Sequence, residues 1–133
     1  MQTMLFTLGL ILFLIGLLTG FAVPALKNPR MALSSHLEAV LNGMFLVLLG
    51  LLWPHIHLPD AWGVTAVALI VYSAYANWLA SLFAAAWGAG RKLAPIAASG
   101  YETSAAKEGF VSFLLVTLSV SIVLGVGIVI AGL

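Results

Sequence analysis

Cysteine is absent from this 133-residue chain, and charge is scarce: five basic and four acidic residues make up 7% of it. The first absence excludes disulfides, thiolate metal sites and cysteine nucleophiles, and says nothing about redox compartment. The second excludes an ordinary water-facing surface, since a soluble domain carries about a quarter charged residues. No basic run occurs, so nothing suggests nucleic acid. Phosphate loops, G-x-G-x-x-G, H-E-x-x-H and G-x-S-x-G are missing too, and no nucleotide site or standard hydrolase chemistry is indicated. No internal repeat or low-complexity tract stands out. What remains is a chain 63% hydrophobic, for which lipid must be the solvent.

The apolar stretches divide into four spans, near residues 4–23, 34–53, 61–87 and 109–133. Each is long enough to cross about 30 Å of hydrocarbon. The fold class expected is all-α, a single domain (1–133) of four transmembrane helices. The first stretch is not read as a secretory signal, because it has no basic flank and its apolar run is too long. It carries Gly16-x-x-x-Gly20, which lets another helix approach closely. Ser34 or Ser35 is the expected N-cap of the second span, with Glu38 completing a capping box. The fourth carries Thr117, Ser121 and Gly125 at steps of four, a seam for a neighbour. Lys27, Arg30, Arg91, Lys92 and Lys107 all fall in the first and third connections. Four spans put those connections on one side, which the positive-inside rule makes cytoplasmic, with both termini outside.

The second span, SSHLEAVLNGMFLVLLGLLW, carries His36, Glu38 and Asn42. Titratable groups inside a bilayer are costly and usually mark a site. At 1.5 Å per residue, His36 is expected roughly 5 Å inside and Asn42 about 14 Å deep. Asn77 and Tyr75, on the antiparallel third span, fall about 15–18 Å from the same side. A shared polar pocket between spans two and three, open toward the cytoplasm, is the expectation. On the helical wheel His36, Ala39, Val40, Gly43, Val47 and Gly50 share one face of mostly small residues, suited to a flat ligand. Ser35, Glu38 and Asn42 form a second face; Tyr72 and Tyr75 share a stripe of span three.

Plainer readings stand beside these. His36 would bond a carbonyl or snorkel to the headgroups. Glu38 would be only a capping residue, and Asn42 and Asn77 interhelical glue. Tyr72 and Tyr75 would pack, each with a hydroxyl bond. Trp53, Trp62 and Trp87 read as interfacial anchors. His55-x-His57 with Asp60 is too weak a signal for a metal site. Glu108 is expected to favour the start of the fourth helix.

Two segments, MALSSHLEAVLNGMFLVLLGLLW and VYSAYANWLASLFAAAWGAG, resemble the hydroxylaminobenzene mutases. These are small bacterial membrane isomerases that turn a hydroxylaminoarene into an aminophenol in aromatic degradation. The motifs H-L-E-x-V-x-N-G and Y-A-N-W-L-A carry the likeness, with Ala39 where glycine often stands. The pattern is similar, more distantly, to styrene oxide isomerase, which uses ferric haem b as a Lewis acid. That resemblance implies His36 as axial ligand to the iron, with the Ala39 and Gly43 face taking the porphyrin. It further implies Asn42 holding substrate, a tyrosine at Tyr75 or Tyr72, and a trimer. Asn77 would help orient the arene, and Glu38 is a candidate acid or base. The expectation is an isomerase of the bacterial inner membrane acting on a small aromatic hydroxylamine. A styrene-oxide-type epoxide isomerase is the near alternative. A non-enzymatic haem protein would need a second axial ligand, but His55 and His57 lie on the opposite side. A transport subunit would show discontinuous helices or repeats.

Overall fold

Four long helices run antiparallel in a computed structural model that describes all residues, 1–133: α1 (Gln2–Ala22), α2 (Pro29–Leu52), α3 (Asp60–Trp87) and α4 (Ala105–Ala131). They contain 21, 24, 28 and 27 residues. At 1.5 Å per residue that is about 32 to 42 Å, enough to cross a bilayer. There are no strands, and all four helices are apolar enough to span. The bundle is the all-α architecture expected.

Its helix boundaries correct the sequence reading at two places. α2 begins at Pro29, capped by Asn28, whose Oδ1 accepts from Met31 N at 3.2 Å. Proline suits this first turn because its missing N–H would find no intrahelical partner. Asn28 is fully buried, donating its own amide to Ala85 O and its Nδ2 to Ala97 O. Ser34 and Ser35 are therefore not caps, and no capping box forms with Glu38. Ser35 is fully buried inside the helix and donates to Trp78 O at 3.0 Å. α4 likewise begins early, at Ala105, where Ser104 Oγ accepts from Lys107 N. Glu108 still falls in the first turn of that helix, as expected, and its carboxylate reaches on to the amides of Gly90 and Arg91.

Helices α1 and α2 meet through glycine. A Cβ on Gly43 would lie 2.7 Å from both Gly9 O and Phe13 N, and one on Gly9 would meet Gly43 O at 2.7 Å. Backbone atoms cannot move aside as a flexible side chain can. Gly43→Ala is expected to destabilise the protein by about 1–3 kcal/mol, read as a lower unfolding midpoint in detergent. On the other flank Gly125 of α4 packs on Ile70 of α3, and Ser73 donates to Leu118 O at 3.0 Å.

The two connections that carry the basic residues close one end. Lys27 Nζ donates to Trp87 O and Glu102 O, Arg30 to Ser99 O, and Arg91 pairs with Glu102 at 2.8 Å. The termini gather at the opposite end, where His57 N donates to Gly132 O at 2.7 Å.

Candidate functional site

His36 sits in the second full turn of α2, where it meets two glycines of α1. Its Nδ1 lies 2.7 Å from Gly16 O, and a Cβ on Gly20 would fall 3.0 Å from the same nitrogen. A carbonyl can only accept, so Nδ1 carries the proton and donates. The proton is thereby held off Nε2, whose lone pair takes no partner from the chain and is not enclosed by it. An imidazole fixed through one nitrogen and free at the other is what a metal-ligating histidine requires.

The small-residue face beside it is less open than expected. Ala39 is fully buried, with its Cβ where Gly16 approaches, and Gly43 is pressed on α1. Helix α1 itself fills the position expected for a flat ligand, because glycine on both helices lets the backbones touch. What stays open is a shallow groove of about 300 Å³ on the outer flank of the pair. Leu10, Phe13, Gly43, Met44, Val47 and Leu48 line it, all but one of them apolar side chains. Gly43 and Val47 continue the stripe of His36 at helical spacing, so the groove and the imidazole share one side of α2.

Asn42 is half-buried, and its Nδ2 is the one enclosed side-chain nitrogen or oxygen in the chain that lacks a hydrogen-bond partner. An orphaned amide donor in an apolar span is costly and calls for a partner.

Glu38 faces the other way. Asn77 Nδ2 of α3 donates to Glu38 Oε2 at 2.5 Å, and both side chains line a cavity of about 170 Å³. Met31 and Ser34 of α2, Ala80, Ser81 and Ala84 of α3, Gly90 and Ala94 of the connection, and Leu115 of α4 complete its wall. The expected pocket between the second and third helices is thus present, next to the basic connections. It does not gather all the residues proposed for it. Tyr75 donates instead to Leu8 O of α1 at 2.8 Å, and Tyr72 shares a 2.6 Å bond with Thr117 Oγ1 of α4. A hydroxyl in an apolar layer takes the nearest spare oxygen, and for each tyrosine that lies on a different neighbouring helix. The single cavity expected of His36, Asn42, Tyr75 and Asn77 is therefore split around α2.

Trp78 was missed. Its Nε1 donates to Thr19 Oγ1 at 3.0 Å, and its carbonyl takes Ser35 and Ser81. It ties α1, α2 and α3 together beside His36. A tryptophan in mid-span was the available signal, since its N–H must find an acceptor when buried.

Known proteins resemble the chain over nearly its whole length. The styrene oxide isomerase family model matches residues 1–133. Hydroxylaminobenzene mutase HabA of Ectopseudomonas oleovorans is 53% identical over 118 residues, covering 89% of this chain and 87% of the relative. Hydroxylaminobenzene mutase HabB of the same organism is 51% identical over 129 residues, 97% of this chain and 79% of the relative. No solved structure matches. With half its residues shared with two mutases, the chain is an intramolecular isomerase, and it belongs to the styrene oxide isomerase family.

Proposed function

We propose that this protein rearranges hydroxylaminobenzene-type arenes to aminophenols, and that His36 would hold a ferric haem b. The observation that carries the reading is the His36 imidazole, held at Nδ1 by Gly16 O and free at Nε2. The apolar groove along the same stripe supports it, as a surface a flat macrocycle would cover. When bound, ferric haem supplies a Lewis acid that draws electron density from the substrate's N–O bond. The chain's residues do the rest. Gly16 O fixes the tautomer and the orientation of the ring. The Asn42 N–H, enclosed and without a partner in the single chain, is the donor this reading assigns to the migrating oxygen as charge builds on it. The apolar flank excludes water, so oxygen passes from nitrogen to a ring carbon of the same molecule. That exchange has no net redox change, which suits a chain without a nicotinamide motif. Glu38, Asn77, Tyr75 and Tyr72 stand away from His36 within one chain, and act in this reading by positioning helices.

The basic connections face the cytoplasm of a bacterial inner membrane and both termini face outward. The unit is a trimer, in keeping with a histidine that looks out from the surface of the single chain. A styrene-oxide-type epoxide isomerase is the second reading, favoured by the family model that covers the chain. Assay of detergent-purified protein with hydroxylaminobenzene and with styrene oxide separates the two. Aminophenol is the expected product, from protein that shows a Soret band. Conversion of styrene oxide alone would favour the second reading, and inertness toward both would refute the class.

A further inference from the structure

The cavity around Glu38 has a hydrogen-bonding inventory weighted toward acceptors. Ser81 Oγ is spent on Asn77 O and Trp78 O, and Gly90 N on Glu108. Asn77 gives an N–H to Glu38 Oε2, while Asn77 Oδ1 and Glu38 Oε1 receive nothing from the chain. No lysine or arginine reaches the carboxylate, since the chain's one ion pair joins Arg91 to Glu102. The free side-chain donors are the Ser34 hydroxyl and the second Asn77 N–H. The lone pairs of the Glu38 and Asn77 oxygens outnumber them, so the cavity favours a donor ligand. Its remaining wall is apolar, from Met31, Ala80, Ala84 and Leu115. Its volume of about 170 Å³ compares with the roughly 150 Å³ apolar cavity that is known to take up benzene. Acceptors at one side, an apolar wall and room for one ring define a ligand class.

We propose that this cavity is a second binding site, for a single-ring arylamine. Its N–H donors rest on Glu38 Oε1 and Asn77 Oδ1, and its ring packs against Met31, Ala80, Ala84 and Leu115. The choice of an arylamine rests on the function proposed above; the demand for an N–H donor does not. The site lies on the flank of α2 away from His36, against α3, α4 and the basic connection. It holds substrate or product beside the membrane surface, apart from the reacting centre. Its occupant needs no cofactor.

Photolabelling of the intact purified protein with 4-azidoaniline, with adducts mapped by peptide mass spectrometry, tests this. Label is expected within residues 31–38 and 77–84, displaced by excess aniline. The Ser34 side chain makes no hydrogen bond and is only partly buried at the cavity wall, so Ser34→Leu should fold normally and fill the cavity, abolishing this label. Glu38→Gln, which keeps the shape but replaces the carboxylate, should weaken aniline competition about tenfold, the scale of one hydrogen bond to a charged group. His36→Ala should leave the label in place, whereas it removes the isomerase reaction. Label confined to the flank of Gly16, Gly20 and His36 would overturn the proposal. So would label at Glu38 that survives Ser34→Leu, or that aniline does not displace. Failure of the protein to convert hydroxylaminobenzene, with aniline-displaceable label at Glu38 intact, would refute the function and leave the site standing.

Discussion

His36→Ala is expected to abolish the Soret band and to lower aminophenol formation by on the order of a thousandfold. A metal acting as Lewis acid contributes several kcal/mol, and three powers of ten in rate correspond to about 4 kcal/mol. Stability should change far less. The substitution gives up the hydrogen bond to Gly16 O, worth about 1 kcal/mol, and leaves a carbonyl that still belongs to its own helix. A folded, colourless, inactive protein is therefore the expected result. Free imidazole should restore part of both colour and activity, as it would not if His36 served only packing. Gly20→Ala supplies a gentler version of the same test. Its Cβ would meet the ring at 3.0 Å from Nδ1 and 3.2 Å from Cε1, so the imidazole must tilt away from Gly16. The Soret maximum should shift and activity fall, with the ligand still present. A colourless wild type with full activity would remove His36 from the chemistry altogether.

That test depends on one nitrogen's surroundings, a level of detail the sequence reveals unevenly. Span number and approximate limits are legible in this chain, because long apolar runs bounded by prolines and charges leave lipid as the only solvent. Depth is legible only as well as the helix start. Counted from Ser34, Asn42 should lie level with Asn77, but α2 starts at Pro29 and it is Glu38 that meets Asn77 across α2 and α3. Azimuth is not legible. A helix that is apolar all round offers no polar face to mark its outside, so the wheel alone cannot say which neighbour a stripe will meet. Hence the Ala39 and Gly43 face, expected to take a ligand, is pressed on α1. Tyr75 and Tyr72, one stripe by spacing, part toward α1 and α4. The start of α2 is hidden for a different reason. Asn28-Pro29 is as good a start signal as the serines, but what selects it is burial of Asn28 under residues 85 and 97. That contact is set by a connection some seventy residues away in the chain.

Glu108→Ala should destabilise the protein more than any other substitution of a charged residue, by about 3 kcal/mol or more. Glu108 is only 9% exposed, and its carboxylate accepts from Gly90 N at 3.0 and 3.1 Å and from Arg91 N at 3.3 Å. These amides lie where the chain leaves α3. Gly90, at φ +107°, takes a conformation open to glycine, which turns consecutive N–H groups toward one point. Removal of the carboxylate strands the buried Gly90 N–H and loosens the part-buried Arg91 N–H. A buried donor left unpaired costs about 1–3 kcal/mol, on top of the charge-assisted bonds lost. The nearby Glu102→Ala makes the contrast. Its partner is Arg91, but the two side chains are 58% and 81% exposed, and an ion pair of that kind contributes about 1 kcal/mol at most. Two carboxylates that bind one connection thus differ severalfold in effect, by burial and by donor type rather than by charge. Trypsin reads the difference directly, since Arg91 and Lys92 are its targets in this segment. Cleavage there should accelerate by on the order of a hundredfold in Glu108→Ala, as about 3 kcal/mol of local protection is lost, and stay near wild type in Glu102→Ala. Equal acceleration in both variants would mean that the exposed ion pair, not the buried carboxylate, holds the connection over the Glu38 cavity.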